Sequence, residues 1–183
     1  MAVPRIAVKR IAVKRIAVKG TWWRICRAGD DPFAWTADPA DGRWQRGGVV
    51  RGFYLADSEE TAWAEWYRHS SELGVPPATR MPRDTWKIAV NVTDVADLTA
   101  SGVLASNGIA ELRPTRRQWP ATQPVGEACY RDGCRGLLAP SAARVDGRVL
   151  TIFRPLPPMP GLRAVPPPRH HPDLPRLPKG LRT

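Results

Sequence analysis

Cysteine and histidine are scarce. Cys26, Cys129 and Cys134 are an odd set with no C-x-x-C spacing, and His69 is the single histidine outside the pair His170–His171. A disulfide framework is excluded, and a zinc site lacks a ligand set, so the thiols read as packing groups and no metal is expected. Long apolar runs are missing too. Nothing approaches the ~20 residues that span a bilayer, and charges recur every few positions at the N-terminus, where a secretory leader needs an unbroken apolar stretch. A cytoplasmic protein without a membrane anchor is expected. Neither a phosphate-binding G-x-x-x-x-G-K, a dinucleotide G-x-G-x-x-G, an H-E-x-x-H nor a G-x-S-x-G occurs, which removes the common nucleotide-triphosphate, Rossmann, zinc-protease and serine-hydrolase readings.

What the chain does have is positive charge, +11 over 183 residues. That figure suggests nucleic acid until it is divided. Residues 1–19 carry six Lys or Arg and no acid; residues 154–183 carry six against Asp173; the segment between them holds sixteen of each sign. The central domain is neutral, so nucleic acid is not its expected partner, and only weak, salt-sensitive binding by the ends remains open.

The same division organises the chain. Residues 1–19 contain RIAVK three times from Arg5 to Lys19, and a five-residue period gathers no single apolar face on either a helix or a strand. This extension is expected to be disordered or loosely helical. Residues 20–153 form one α+β domain, with strands at Trp22–Cys26, Trp86–Val92, Gly136–Ala142 and Val149–Phe153, and a helix over Val125–Arg131. Residues 154–183 are dominated by Pro, which fixes an extended backbone and removes amide donors, so a disordered or polyproline-type tail is expected.

The most informative stretch is Gly52–Gly74. An apolar run (Phe53, Tyr54, Leu55) stops at Asp57-Ser58, and a helix signature follows in which Asp57 and Glu60 are spaced as a capping box. On a helical wheel Ala62, Trp66 and Leu73 form the buried stripe with Trp63 and Tyr67 beside it. Glu65 falls at the stripe's edge. It reads either as a boundary acid paired with Arg68 or as a carboxylate facing a cleft. Arg24, sharing a strand face with Trp22 and Cys26, reads either as an edge-strand side chain reaching water or as a functional cation. Gly42-Arg43-Trp44-Gln45 lies in a turn-rich segment as an anion clamp or a Trp-anchored loop. Ser141 closes a strand as a backbone-bonding or a functional hydroxyl.

Taken in order, Arg24, the GRWQ loop, Tyr54 before the Asp-Ser cap, Glu65 in AWAEW and Ser141 in LLAPSA resemble the RES domain family over about residues 21–153. The resemblance implies an ADP-ribosyltransferase-like fold: a mixed, mainly antiparallel sheet with flanking helices around an NAD cleft. It implies an NAD-degrading toxin of a bacterial toxin–antitoxin pair, cleaving the nicotinamide–ribose bond by water or phosphate, with an Xre-like helix-turn-helix antitoxin as partner. Transfer of ADP-ribose to a protein or nucleic acid, or a catalytically silent binding module with basic ends, stays open, as does a homodimer. Under this resemblance Glu65, Arg24 and Ser141 are catalytic; Arg24, Arg43, Tyr54 and Ser141 bind NAD, which is substrate, and no cofactor is implied.

Overall fold

The computed structural model describes residues 13–34, 38–154 and 159–182. Six strands and three helices follow one another as β1 (Arg15–Arg27), β2 (Gly52–Ala56), α1 (Glu59–Glu72), β3 (Arg83–Asp97), α2 (Val103–Ser106), α3 (Trp119–Arg131), β4 (Gly136–Pro140), β5 (Arg148–Phe153) and β6 (Leu162–His171). The spatial order is β1-β2-β5-β4-β3-β6, and β1 also pairs with β3, so the first five strands close into a ring. Every pairing is antiparallel except β3 with β4. The long β3 makes closure work. One edge runs along β1, while the other carries β6 over Arg83–Val90 and β4 over Val95–Asp97.

Period-2 alternation sorts the side chains. Phe53 and Leu55 of β2 point into a core with Trp22, Ile88, Val90, Leu138 and Leu150, whereas Tyr54 between them packs on a second core holding Trp44, Leu137, Val125 and Phe153. β5 is buried from Val149 to Phe153 because layers cover both its faces. A third cluster is Trp63, Trp66 and Tyr67 on α1. Each such apolar side chain contributes about 1.5–3 kcal/mol by leaving water. No helix among the described residues is long and apolar enough to cross a membrane.

Several expectations need correction. The last RIAVK copy, Arg15–Lys19, is the start of β1, registered against β3 from Ala96 to Asn91; its first two copies lie almost wholly outside the described residues. Periodicity along one chain ignores the partner strand, whose backbone supplies the hydrogen bonds regardless of a single apolar face. The Pro-rich tail likewise contains β6, an edge strand on β3. Pro166, Pro167 and Pro168 are tolerated because they fall in the register irregularity between the Arg169–Thr85 and Val165–Lys87 pairs, where they have no ladder partner, on a strand whose other side is open. The helix cap is Ser58, whose Oγ accepts from the Thr61 amide at 3.1 Å. Asp57 instead accepts from the Arg148 amide at 3.0 Å, and Glu60 pairs with Arg144 at 2.6 Å. Leu73, the C-cap residue of the helix, is 43% exposed and so lies outside the buried stripe. α3 begins six residues before Val125, with Pro120 in its first turn, where a missing amide costs nothing.

Candidate active site

Four of the five residues singled out in the sequence line one cleft of about 400 Å³: Arg24 from β1, Arg43 from the GRWQ loop, Tyr54 from β2 and Glu65 from α1. β1 is not an edge here, since Trp23 pairs with Ala56 on one side and Lys87 on the other. Arg24 therefore stays inside. Its guanidinium lies 4.3 Å from the Phe53 ring centroid, and Nη1 donates to the Tyr54 carbonyl at 3.1 Å.

Glu65 is held from two directions. Ser141 Oγ donates to Oε1 at 2.7 Å, and Arg68 Nε donates to Oε2 at 2.8 Å. Burial by itself would push this carboxyl up. The charge of Arg68, the hydrogen bonds from Ser141 and Arg68, and the charge of Arg43 outweigh burial and keep it below the usual range. Glu65 is thus an anion at neutral pH. Both sequence alternatives hold at once: the Arg68 pair exists, and the carboxylate faces the cleft.

Ser141 takes a different place. It is 1% exposed and absent from the cleft wall. Its Oγ accepts from the Ala143 and Arg144 amides at 3.1 and 3.0 Å, so the hydroxyl proton is directed at Glu65. Ser141 supports the carboxylate from behind.

The GRWQ loop is clamped to α3. Thr122 Oγ1 donates to the Arg43 carbonyl at 2.5 Å and Gln123 Nε2 to the Gly42 carbonyl at 3.0 Å. Arg43 spends Nη1 on Gln118 Oε1 at 3.0 Å and Nη2 on the Arg113 carbonyl at 2.9 Å. It reaches the cleft as a fixed positive wall. The Tyr54 hydroxyl donates to Gln45 Oε1 and accepts from the Trp44 amide, and burial pushes it above its ordinary value, so it stays a neutral phenol. Gln45 thereby fixes the ring that lines the cleft.

Sequence reasoning gave no site role to Trp66, Arg68, His69, Arg80, Arg83 or Trp119, all in the cleft wall. The signal for Arg68 and His69 was present: they stand three and four residues after Glu65, on the same helix face. Arg80 lies within the Pro-rich stretch from Pro76 to Pro82 and Arg83 directly after it, and neither carried such a signal. Burial, reinforced by the charges of Arg80, Arg68 and Arg116, lowers His69 to about 4. With an ordinary value of 6.5 when unfolded, the folded protein binds fewer protons in the interval between. His69 therefore adds stability that is complete above pH 6.5 and lost as pH falls toward 4. Urea midpoints of wild type and His69→Asn should converge as pH drops from 7 to 4.5; parallel curves would refute this.

The sequence matches the RES domain family over residues 21–176. The chain belongs to the RES domain family. The match continues past Phe153 through β6, consistent with the tail being built into the sheet. A protein of Mycobacterium tuberculosis described as a probable NAD(+) phosphorylase is 33% identical over 138 residues, which is 74% of this chain and 65% of that protein. The chain therefore matches just under two thirds of that relative's length. The crystal structure of the M. tuberculosis MbcT–MbcA toxin–antitoxin complex contains a chain superposing with a TM-score of 0.67 at 22% identity, over 87% of this chain and 86% of that one. This likeness establishes the mixed α+β fold of this RES domain.

Proposed function

We propose that this RES domain is an NAD-degrading enzyme with an ADP-ribosyltransferase-like cleft, cleaving the bond between nicotinamide and ribose, and that it acts as the toxin of a toxin–antitoxin pair. The single observation that carries the reading is Glu65: a carboxylate kept ionised by Ser141 and Arg68 at the wall of a cleft lined by aromatic and cationic groups. When the C1′–N bond breaks, its electron pair stays on the nicotinamide nitrogen, which leaves neutral, and the ribose acquires oxocarbenium character. A fixed anion beside that ribose stabilises the charge that develops and accepts from its hydroxyls. An oxygen of phosphate then bonds C1′ to give ADP-ribose 1″-phosphate, or water does so and yields ADP-ribose and a proton. Phosphate is favoured, on the name of the M. tuberculosis relative. Tyr54, held neutral, offers a ring face to nicotinamide. The partner is an antitoxin that covers the cleft mouth, of Xre-like type.

The test is time-resolved product analysis of NAD with purified protein, with and without phosphate. Intact NAD in both arms sinks the reading; labelled adduct on a macromolecule in place of small products would favour ADP-ribose transfer. A narrower prediction concerns Ser141. Ser141→Ala removes one of two donors to Glu65, so kcat should fall about 10-fold and the acidic limb of the kcat/KM profile should move to higher pH. A fall with no shift of that limb would deny Ser141 its role as a positioning residue.

A further inference from the structure

The excess positive charge is split in sequence between the two ends of the chain, and the fold reunites part of it on one surface. The last RIAVK copy opens β1, the Pro-rich tail supplies β6, and β3 lies between them, paired with both. Alternation decides which side chains share a face. Val18 and Trp22 of β1, Ile88, Val90 and Val92 of β3, and Leu162 and Ala164 of β6 turn inward to one core. Their neighbours therefore turn outward. Lys19 stands opposite Asn91, Thr21 opposite Ala89 and Trp23 opposite Lys87, while Arg163 and Val165 stand opposite Ala89 and Lys87 from the other side. Lys19, Lys87 and Arg163 are exposed, one on each strand.

Lys87 and Arg163 are diagonal neighbours, a placement that sets backbone positions about 7–8 Å apart. Two strand spacings and a two-residue step put Lys19 about 12 Å from Arg163. No acid occurs in residues 19–23, 87–91 or 163–165. Among the described residues no carboxylate forms an ion pair with any of the three cations. Lys87 Nζ lies 5.3 Å from the Trp23 ring centroid, which positions its charge without neutralising it. Arg169, farther along β6, is outside the set because it pairs with Glu59. Lys14, also exposed, precedes β1, and Arg5, Lys9 and Arg10 come before it in the sequence.

We propose that this outer face of β1, β3 and β6 binds a nucleic acid through its phosphates, without reading its sequence. Unpaired cations spread over a sheet suit a repeating polyanion, whose neutralised phosphates release counterions. A protein partner calls for an apolar or aromatic centre, and an anionic lipid surface for an apolar anchor. The large exposed apolar side chains among the described residues, Val49, Leu73, Val145, Leu174 and Leu177, all lie outside these three strands. The proposal is independent of the NAD reading.

The experiment is an anisotropy titration of a short labelled DNA duplex of mixed sequence with the full chain, repeated over a range of salt concentrations. Three neutralised phosphates contribute about −2.7 to the slope of log K against log salt. Lys19→Ala/Lys87→Ala/Arg163→Ala should weaken binding at low salt about 10-fold or more and flatten that slope by about 2–3. Arg117→Ala/Arg131→Ala/Arg176→Ala removes the same charge from exposed positions off this face and should stay within about threefold. Thr21→Glu, at an exposed position between Lys19 and Trp23, adds a carboxylate to the face and should also weaken binding; it decides the matter if the triple variant melts early. Absence of duplex binding by folded wild type at low salt, equal losses in the two triple variants, or wild-type affinity in Thr21→Glu overturns the assignment. Sedimentation with phosphatidylserine-containing vesicles is the second arm: vesicle binding that depends on the face, without DNA binding that does, overturns it in favour of a membrane surface.

Discussion

Glu65→Gln is expected to lower kcat for the proposed NAD cleavage about 10²–10³-fold while leaving KM within a few-fold and the fold intact. The substitution is nearly isosteric and removes one negative charge at the point where positive charge develops, which is the magnitude expected for loss of a preorganised electrostatic contact. Two features keep the structure in place. Arg68 retains Glu72 at 2.5 Å, so its cation is not stranded, and an amide oxygen can still accept from Ser141. Stopped assays with purified protein, paired with melting curves, provide the check. A Glu65→Gln enzyme retaining more than a tenth of wild-type turnover would mean that the carboxylate is structural and that the chemistry lies elsewhere.

Gly126→Ala should destabilise the domain by about 3 kcal/mol and abolish the proposed activity in parallel. A Cβ at this position of α3 would sit 2.0 Å from the Trp44 carbonyl oxygen and 2.9 Å from its carbonyl carbon, and both are backbone atoms. The loop cannot simply retreat. Thr122 and Gln123 bond the Arg43 and Gly42 carbonyls, and the Tyr54 hydroxyl holds the Trp44 amide. Overpacking costs ~1–3 kcal/mol and each broken hydrogen bond about 1 more. Because the same loop carries Arg43 and anchors Tyr54, the cleft deforms with it. Gly48→Ala is the control, since a Cβ there meets nothing within 4 Å. Urea denaturation of the two variants should differ clearly at the midpoint; equal midpoints would refute the close-packing account.

Local order was legible wherever neighbouring residues in the chain decide it. The run from Phe53 through Ser58 to Tyr67 appears as strand, cap and helix because alternation, cap chemistry and helical periodicity are short-range properties. Even there the local sequence does not decide which residue caps the helix. Asp57 and Ser58 are equally competent caps in isolation, and the Arg148 amide, ninety-one residues away, drew Asp57 off. The β6 strand is invisible to local sequence rules for a related reason. Three consecutive prolines argue against a central strand, and nothing local announces that a free edge of β3 lies waiting.

The sequence by itself determined that Glu65 stands at the rim of an apolar helix face, that Tyr54 alternates away from Phe53 and Leu55, and that the middle of the chain is charge-balanced. Helical and pleated periods impose those facts before any long-range contact exists. The tertiary structure alone decided the rest. It moved Ser141 from the cleft wall to a place behind Glu65, tied Arg43 to Gln118, and brought Arg80 and Arg83 over the Trp66 ring. The direction and charge state of these groups depend on partners remote in the chain, and closure of the five-stranded ring is what brings those partners within hydrogen-bonding distance.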